Sequence, residues 1–302
     1  MIERFNFYDV YGNFLPGLAF LALLWLPFGI TQHFWPSTAF TSAVAALAFA
    51  YILGHILQSL ASTVFRSGAR DSKGRLRYPS SFFLDPEDST FPSEFKQRLQ
   101  KEVASKFGLD LHVSTYSGEA KAIDAQRRTA FLLCRGLLVG EEIVSYGEQF
   151  EGLYALMRGL AISFWLASAY FLGWAISGWD NLCFKSFTFC GLFVGLTIAT
   201  VTTGILAIAD VRDEDYVFWI DVFTFAGLLM SLFFLGVVLG RVYKLTSSQI
   251  AVLSAIALAA LFAGGRSFRG YRFYAKQFAG AIWRDFVAHR SAQESASTSQ
   301  GH

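Results

Sequence analysis

The sequence predicts an all-α fold: a polytopic transmembrane helical bundle of about six spans, with a small helical cytoplasmic domain between spans 2 and 3. The first observation is composition, since 54% of the 302 residues are hydrophobic and only 16% are charged. The second is the nearly uncharged segment 217–238. A helix rises about 1.5 Å per residue, so about 20 apolar residues cross a hydrocarbon core of roughly 30 Å. The third is one long hydrophilic interval, 65–158, between apolar segments.

Six apolar segments have the length or composition of a membrane span. They cover residues 14–35, 39–60, 160–176, 187–208, 217–238 and 245–264. In the first, Pro16 suits a helix start and Pro27 predicts a kink. No basic region or small-residue cleavage site marks this segment as a signal peptide, so we interpret it as a retained anchor.

The distribution of Lys and Arg predicts the orientation. Fourteen of these residues lie between residues 65 and 159, whereas the link at 36–38 has none and the link at 177–186 has only Lys185. Because basic residues favour the cytoplasmic side, the hydrophilic interval and both termini are expected to be cytoplasmic. Arg241 and Lys244 would then face outward, which leaves open a five-span alternative with a re-entrant or interfacial last segment.

The chain divides into four predicted regions. They are an N-terminal transmembrane hairpin (1–64), a cytoplasmic helical domain (65–158), a four-helix transmembrane region (159–264) and a basic amphipathic cytoplasmic tail (265–302). In the cytoplasmic domain, apolar residues recur every fourth position from Phe91 to Phe107, and Gly108 is the expected stop. A second helix is predicted over 120–139, and a third from Glu141 into the third span.

A cytoplasmic protein partner is predicted besides the lipid bilayer. The nearly balanced charge of residues 91–158 suggests a surface for a cytoplasmic protein partner, and the whole-chain charge of +2 does not suggest nucleic acid.

In the tail, aromatic residues share one helical face and basic residues lie elsewhere. The bases predicted to contact anionic lipid headgroups are Arg266, Arg269, Arg272 and Lys276. In the alternative, these bases only set orientation and the aromatic residues pack on the cytoplasmic domain.

Polar residues within the apolar segments are the candidate functional residues. His55 and Gln58 are three apart, hence on one helical face, and neither suits lipid. They predict either a proton-sensitive gate or relay, or a buried hydrogen bond between helices. Asp221 lies one turn inside the fifth apolar segment and is the second candidate, paired inward with Arg212 or reaching the surface.

Small residues spaced by four predict helix–helix contacts, within one chain or in a homo-oligomer. These residues are Gly191, Gly195, Gly227, Ser231, Gly236 and Gly240. The threonines of the fourth segment also fit a polar pore wall. Known catalytic motifs, calcium-loop spacing and Cys-x-x-Cys pairs are all missing from the sequence, so no catalytic residue, metal or cofactor is predicted.

The opening Tyr8-Asp9-x-x-Gly12-x-x-x-Pro16-Gly17, together with Gly54-His55-x-x-Gln58, resembles a group of uncharacterised bacterial inner-membrane proteins. The resemblance covers the first sixty residues and the aromatic, basic tail. It implies a multi-pass inner-membrane protein, and in some members an association with phage-defence genes. The resulting hypothesis is a non-enzymatic, signal-responsive membrane effector or scaffold that oligomerises and forms a pore. The alternative is a small-solute or ion channel or transporter lined by His55, Gln58 and the fourth-segment threonines.

Overall fold

The computed structural model describes residues 8–35, 40–65, 69–70, 76–111, 120–143, 146–177 and 214–299. The helices are a π-helical turn (Asp9–Phe14), α1 (Leu15–Gln32), α2 (Phe40–Val64), α3 (Pro79–Phe82), α4 (Ser93–Phe107), α5 (Ala120–Gly140), α6 (Tyr146–Ile176), α7 (Glu214–Val242) and α8 (Ser247–Ser299). Two short strands, β1 (Ala69–Arg70) and β2 (Leu76–Arg77), pair antiparallel and were not predicted.

Five described helices are long and apolar enough to cross a membrane. They are Asp9–Gln32, Thr41–Val64, Tyr146–Ile176, Phe223–Val242 and the apolar part of Ser247–Ala296. These correspond to predicted spans one, two, three, five and six, so the all-α, multi-pass architecture is confirmed. The predicted fourth span, 187–208, lies outside the described residues, as do Gly191, Gly195 and the fourth-segment threonines.

The chain forms two compact units. The first, here called the membrane unit, comprises Met1–Arg66 and Ala155–Tyr271. The second, here called the helical unit, comprises Ser67–Tyr154 and Arg272–His302. Helices α6 and α8 therefore each contribute residues to both units. The predicted cytoplasmic domain and most of the predicted tail fall in the same unit.

Close backbone contacts fix the relative directions of α6 and α7. A Cβ atom on Gly173 would meet the carbonyl of Phe233, and one on Gly240 would meet the Ser177 side chain. The contacts advance along both helices together, so α6 and α7 are parallel. If both helices cross the membrane, their C-terminal ends therefore lie on the same side of it.

Helix α8 runs antiparallel to α6. Trp165 lies against Gly264, and the Met157 sulfur would be 3.1 Å from a Cβ on Gly270. The helix is continuous over 53 residues, Ser247–Ser299. A re-entrant segment has to turn back within the membrane, so the re-entrant form of the five-span alternative does not fit this structure.

The ends of α1, α6 and α7 meet in an aromatic cluster. The Phe28 and Trp174 rings are edge to face with centroids 5.5 Å apart, and the Trp174 and Tyr243 rings stack at 5.8 Å. The Trp25 indole N–H donates to the Phe34 carbonyl at 2.9 Å. Tyr and Trp concentrate at membrane–water boundaries. The cluster therefore indicates that these three helices end at the same boundary.

The helical unit has its own apolar core, which α4, α5 and the last part of α8 build. Trp283 and Phe286 of α8 are fully buried in it, beside Leu99 of α4 and Leu138 of α5. Of the two alternatives for the tail, the aromatic residues thus pack on the helical domain. Contact of the tail bases with lipid stays a prediction.

Helix boundaries in the helical unit follow backbone geometry. Gly108 ends α4 with φ +68°, the left-handed conformation that glycine adopts easily, as the sequence predicts. The expected start of the next helix at Glu141 is wrong. Glu142 has φ +53°, which no α-helix accommodates, and α6 begins at Tyr146.

Candidate functional site

The structure separates His55 from Gln58. Gln58 is buried, with 5% of its surface exposed, whereas His55 is exposed and contacts the edge of the Tyr51 ring at a centroid distance of 4.5 Å. Residues three apart differ by about 60° around a helix. That offset puts Gln58 inside a helix contact and His55 outside it, although the two residues are neighbours on the same side of α2.

Gln58 reaches a backbone carbonyl that cannot accept the α-helical hydrogen bond from four residues further on. In an α-helix the Gly12 carbonyl would accept from the N–H of residue 16, but Pro16 has no N–H. The backbone at this point is π-helical, from Asp9 to Phe14, with Pro16 in the first turn of α1. The Gln58 side-chain Nε2 donates to the Gly12 carbonyl. The side chain thus supplies a donor to a carbonyl to which Pro16 cannot donate.

The Gln58 amide has all four of its hydrogen-bonding positions occupied. Its Nε2 donates to the carbonyls of Gly12 and, at 2.5 Å, of Ala155 in α6. Its Oε1 accepts from Nε and Nη2 of Arg158, at 3.0 and 2.9 Å. A primary amide offers two N–H donors and two acceptor lone pairs. Only this orientation of the amide satisfies both the carbonyls and the guanidinium.

Arg158 is the functional residue that the sequence reasoning missed. Its position at the edge of the hydrophilic interval led us to treat it as an orientation signal, but it is buried, with 8% exposed, within α6. One feature of the sequence indicates burial of Arg158: the residue comes immediately before a long apolar run, in a helix that is predicted to continue into that run. Buried charges in membrane helices usually pair with polar groups of the bundle interior.

Glycines let the three helices approach this cluster. A Cβ atom on Gly54 of α2 would meet the Asn13 carbonyl, and one on Gly17 of α1 would meet the Ala50 carbonyl. On Gly159 of α6 it would lie 2.7 Å from Pro16 Cγ and 3.0 Å from Gln58 Nε2. The residues of the two sequence motifs, one before Gly17 and one from Gly54 to Gln58, therefore meet one another and α6. We call Gly12, Pro16, Gln58, Arg158 and Gly159 the three-helix joint.

The joint is suited to holding helices together. It combines an amide, a guanidinium and backbone carbonyls, and none of these is a nucleophile or a ready proton donor near neutral pH. The saturated amide leaves no position for a passing solute or proton. The geometry therefore favours the hydrogen bond between helices over the relay. Within the described part of the chain, no three His, Cys, Asp or Glu side chains converge as a metal site would require.

The remaining candidate residues do not join this cluster. The side chain of Asp221 lies outside the described residues. Gly227 is buried in α7, and the Ser231 hydroxyl donates to its carbonyl at 2.8 Å. Gly236 lies against the Tyr170 carbonyl of α6, close to the Gly240 contact described above. The tail residues Arg266, Arg269 and Lys276 are exposed, and Arg272 is half-buried.

A second buried polar cluster lies in the helical unit. Arg127 of α5 is 1% exposed and donates through Nη1 to the Ser81 carbonyl at 2.9 Å and to the Asp85 carboxylate at 2.6 Å. The Lys96 ammonium of α4 donates to the carbonyls of Asp85 and Asp88 at 2.6 and 2.5 Å. The buried Arg127 and Lys96 side chains thus hold the segment after α3 against α5 and α4.

These features define the class: a multi-pass α-helical membrane protein with a separate helical unit. Comparisons of the chain with protein-family models, with curated proteins and with solved structures found no match.

Proposed function

We propose that this chain is a non-enzymatic, signal-responsive effector of the bacterial inner membrane, with both termini in the cytoplasm. In this proposal the helical unit receives a cytoplasmic protein partner through residues 91–158, and the membrane helices respond. The single observation that carries it is that α6 and α8 are each one continuous helix with residues in both units. A structural change in the core of the helical unit can therefore be transmitted to the membrane helices along α6 and α8.

The response we propose is a change in helix packing that makes the membrane permeable. Packed helix interfaces tend to switch between discrete arrangements because interiors do not deform continuously. The three-helix joint would set which arrangement is stable, since α1, α2 and α6 meet there. The alternative of a channel lined by His55 and Gln58 has no such support, because the Gln58 amide is already fully bonded.

The test breaks α8 close to residue 272, where the helix passes from the membrane unit into the helical unit, and does so at a side chain that is not part of a core. Phe273 is 56% exposed, so its replacement costs little packing. Phe273→Pro breaks the helix, because proline lacks the N–H and clashes with the preceding turn. Phe273→Ala is the matched control. The measurement is the membrane potential of bacterial cells expressing the full chain, read with a potential-sensitive dye.

We expect the wild type and Phe273→Ala to depolarise the membrane and Phe273→Pro, inserted in equal amount, to leave the potential intact. Depolarisation by Phe273→Pro equal to the wild type would refute transmission through α8. If the wild type leaves the potential unchanged even with its genomic neighbours co-expressed, the effector function is wrong.

The resemblance to proteins near phage-defence genes extends the proposal to defence. Cells carrying the chain with its genomic neighbours are then expected to plate phage less efficiently, and Phe273→Pro to restore plating. Equal plating with and without the chain, across a panel of phages, would remove the defence role and leave the membrane response to be judged by the dye experiment.

A further inference from the structure

His55 lies at the surface of α2, close to the middle of a predicted membrane span. The span runs from Thr41 to Val64, and His55 is nine residues from its end. At about 1.5 Å per residue this is about 14 Å, close to half the hydrocarbon thickness of roughly 30 Å. The side chain is exposed, and it contacts the edge of the Tyr51 ring. Among the described residues, none forms a hydrogen bond to the imidazole nitrogens.

An imidazole in this position needs a polar partner. Hydrocarbon offers no hydrogen bond, and an unsatisfied polar group there costs several kcal/mol. Ionisable side chains in membrane helices accordingly face other helices or water-filled cavities, and not lipid. We therefore expect a further polar group to lie against α2 at His55.

The surroundings of His55 form a face with a regular spacing. Most residues of α2 from Thr41 to Ile56 are exposed. On the side of His55, exposed residues recur at alternating intervals of three and four, a spacing at which two helices can pack side by side. They are Ala45, Ala48, Ile52, His55, Ser59 and Ser62, which we call the His55 face. The face carries no formal charge if the imidazole is neutral, and its alanines and serines permit a close approach.

We propose that the His55 face of one chain packs against the His55 face of a second copy. All copies enter the membrane in the same orientation, so a two-fold axis relating them must lie along the membrane normal. Each residue of α2 then meets the same residue of the partner at the same depth.

His55 suits such a self-pairing. A neutral imidazole has one N–H donor and one acceptor nitrogen, so two copies of His55 can bond to each other. Further along the same face, the Ser59 hydroxyl can donate and accept, and the Ser62 hydroxyl, which donates to the Ser59 carbonyl at 2.7 Å, can still accept. A lysine or aspartate at this depth would repel its own copy. This inference goes beyond the proposed function and does not depend on it.

Cysteine cross-linking in native membranes tests the face. In a cysteine-free background (Cys134→Ala, Cys183→Ser, Cys190→Ser), single cysteines replace Ala48 and Ser59 on the face, and Phe49 and Ile56 beside it. All four residues are exposed. Oxidation is expected to join two 33.5 kDa chains at the face positions and not at the flanking ones. No cross-link, or equal cross-linking at all four positions, would mean that lipid or another part of the chain covers the face.

Subunit counting in lipid nanodiscs tests His55 itself. The wild type is expected to be dimeric, and His55→Leu to raise the dissociation constant about tenfold, the effect expected for a hydrogen bond between membrane helices. Ile56→Leu, an apolar exchange beside the face, is the matched control and should leave the constant unchanged. A monomeric wild type, or a His55→Leu protein that dimerises like the wild type, would overturn the inference.

Discussion

Gln58 of α2 donates a hydrogen bond to the Gly12 carbonyl, to which Pro16 cannot donate because proline has no N–H. The same amide also donates to the Ala155 carbonyl of α6 and accepts from Arg158. One side chain thereby joins α2 to α6 and to the π-helical turn that precedes α1.

Gln58→Leu should lower the free energy of unfolding by about 2 kcal/mol, because it leaves two carbonyls and two guanidinium N–H groups of the buried joint without this partner. The measurement is unfolding of the purified protein in detergent micelles, followed by circular dichroism. Phe49→Ala, at an exposed position of the same helix, is the control and should change stability by less than about 0.5 kcal/mol. Equal stability of Gln58→Leu and the wild type would contradict the role of the joint.

Gly54→Ala should destabilise the membrane unit by several kcal/mol, because the added methyl group would collide with the Asn13 backbone. Gly265 of α8 offers the control, since no atom lies within 4 Å of a Cβ placed there. Gly265→Ala should be neutral or stabilise by up to about 1 kcal/mol, as alanine favours helix more than glycine does. The comparison is made by the same unfolding measurement. Similar effects of the two substitutions would mean that α1 and α2 are not in close contact.

Arg127→Met should destabilise the helical unit by about 3–5 kcal/mol, since it leaves the buried Ser81 carbonyl and the Asp85 carboxylate without the guanidinium. Limited proteolysis should then cut near residues 83–90 first. Arg128 lies next along α5 but is exposed over the Tyr78 ring. Arg128→Ala should cost less than about 1 kcal/mol. Proteolysis that is no faster in Arg127→Met than in Arg128→Ala would contradict the fastening role.

Cys134 should react slowly with alkylating reagents in the folded protein. Burial in the helical-unit core disfavours the thiolate and raises the pKa of the Cys134 thiol well above its ordinary value. Because the thiolate is the reactive form, alkylation of the folded Cys183→Ser, Cys190→Ser protein should stay slow as the pH rises from 7 to 9. In denaturant the rate should rise by an order of magnitude or more. Fast labelling of the folded protein at pH 7 would show that this core is open.

The predictable parts of this structure are those set by local pattern. The lengths of the apolar segments correctly predicted five helices that are long enough to cross a membrane. Gly108 ends α4 as predicted, because a residue without a side chain readily adopts a left-handed backbone. The joint was only half predictable. Gln58 stood out because an amide is costly in lipid, but its partner Arg158 is one hundred residues away, and nothing local distinguishes a buried arginine from one that sets orientation.

The environment of the tail could not be predicted from its sequence pattern either. An apolar face opposite basic residues fits equally a helix on a membrane surface and a helix on a protein core, because both environments bury the same face. Trp283 and Phe286 lie in the core of the helical unit. The two-residue strands and the left-handed Glu142 likewise depend on local backbone geometry that has no strong sequence signal.

The measurement that tests the account most directly is the sidedness of two positions in intact cells. In the cysteine-free background, Glu87→Cys reports on the helical unit and Lys244→Cys on the link between α7 and α8; both residues are exposed. A membrane-impermeant maleimide is expected to label Lys244→Cys in intact cells and Glu87→Cys only after permeabilisation. Labelling of Glu87→Cys in intact cells, or of both positions from one side, would contradict the predicted orientation, in which the parallel α6 and α7 both end on the outer side.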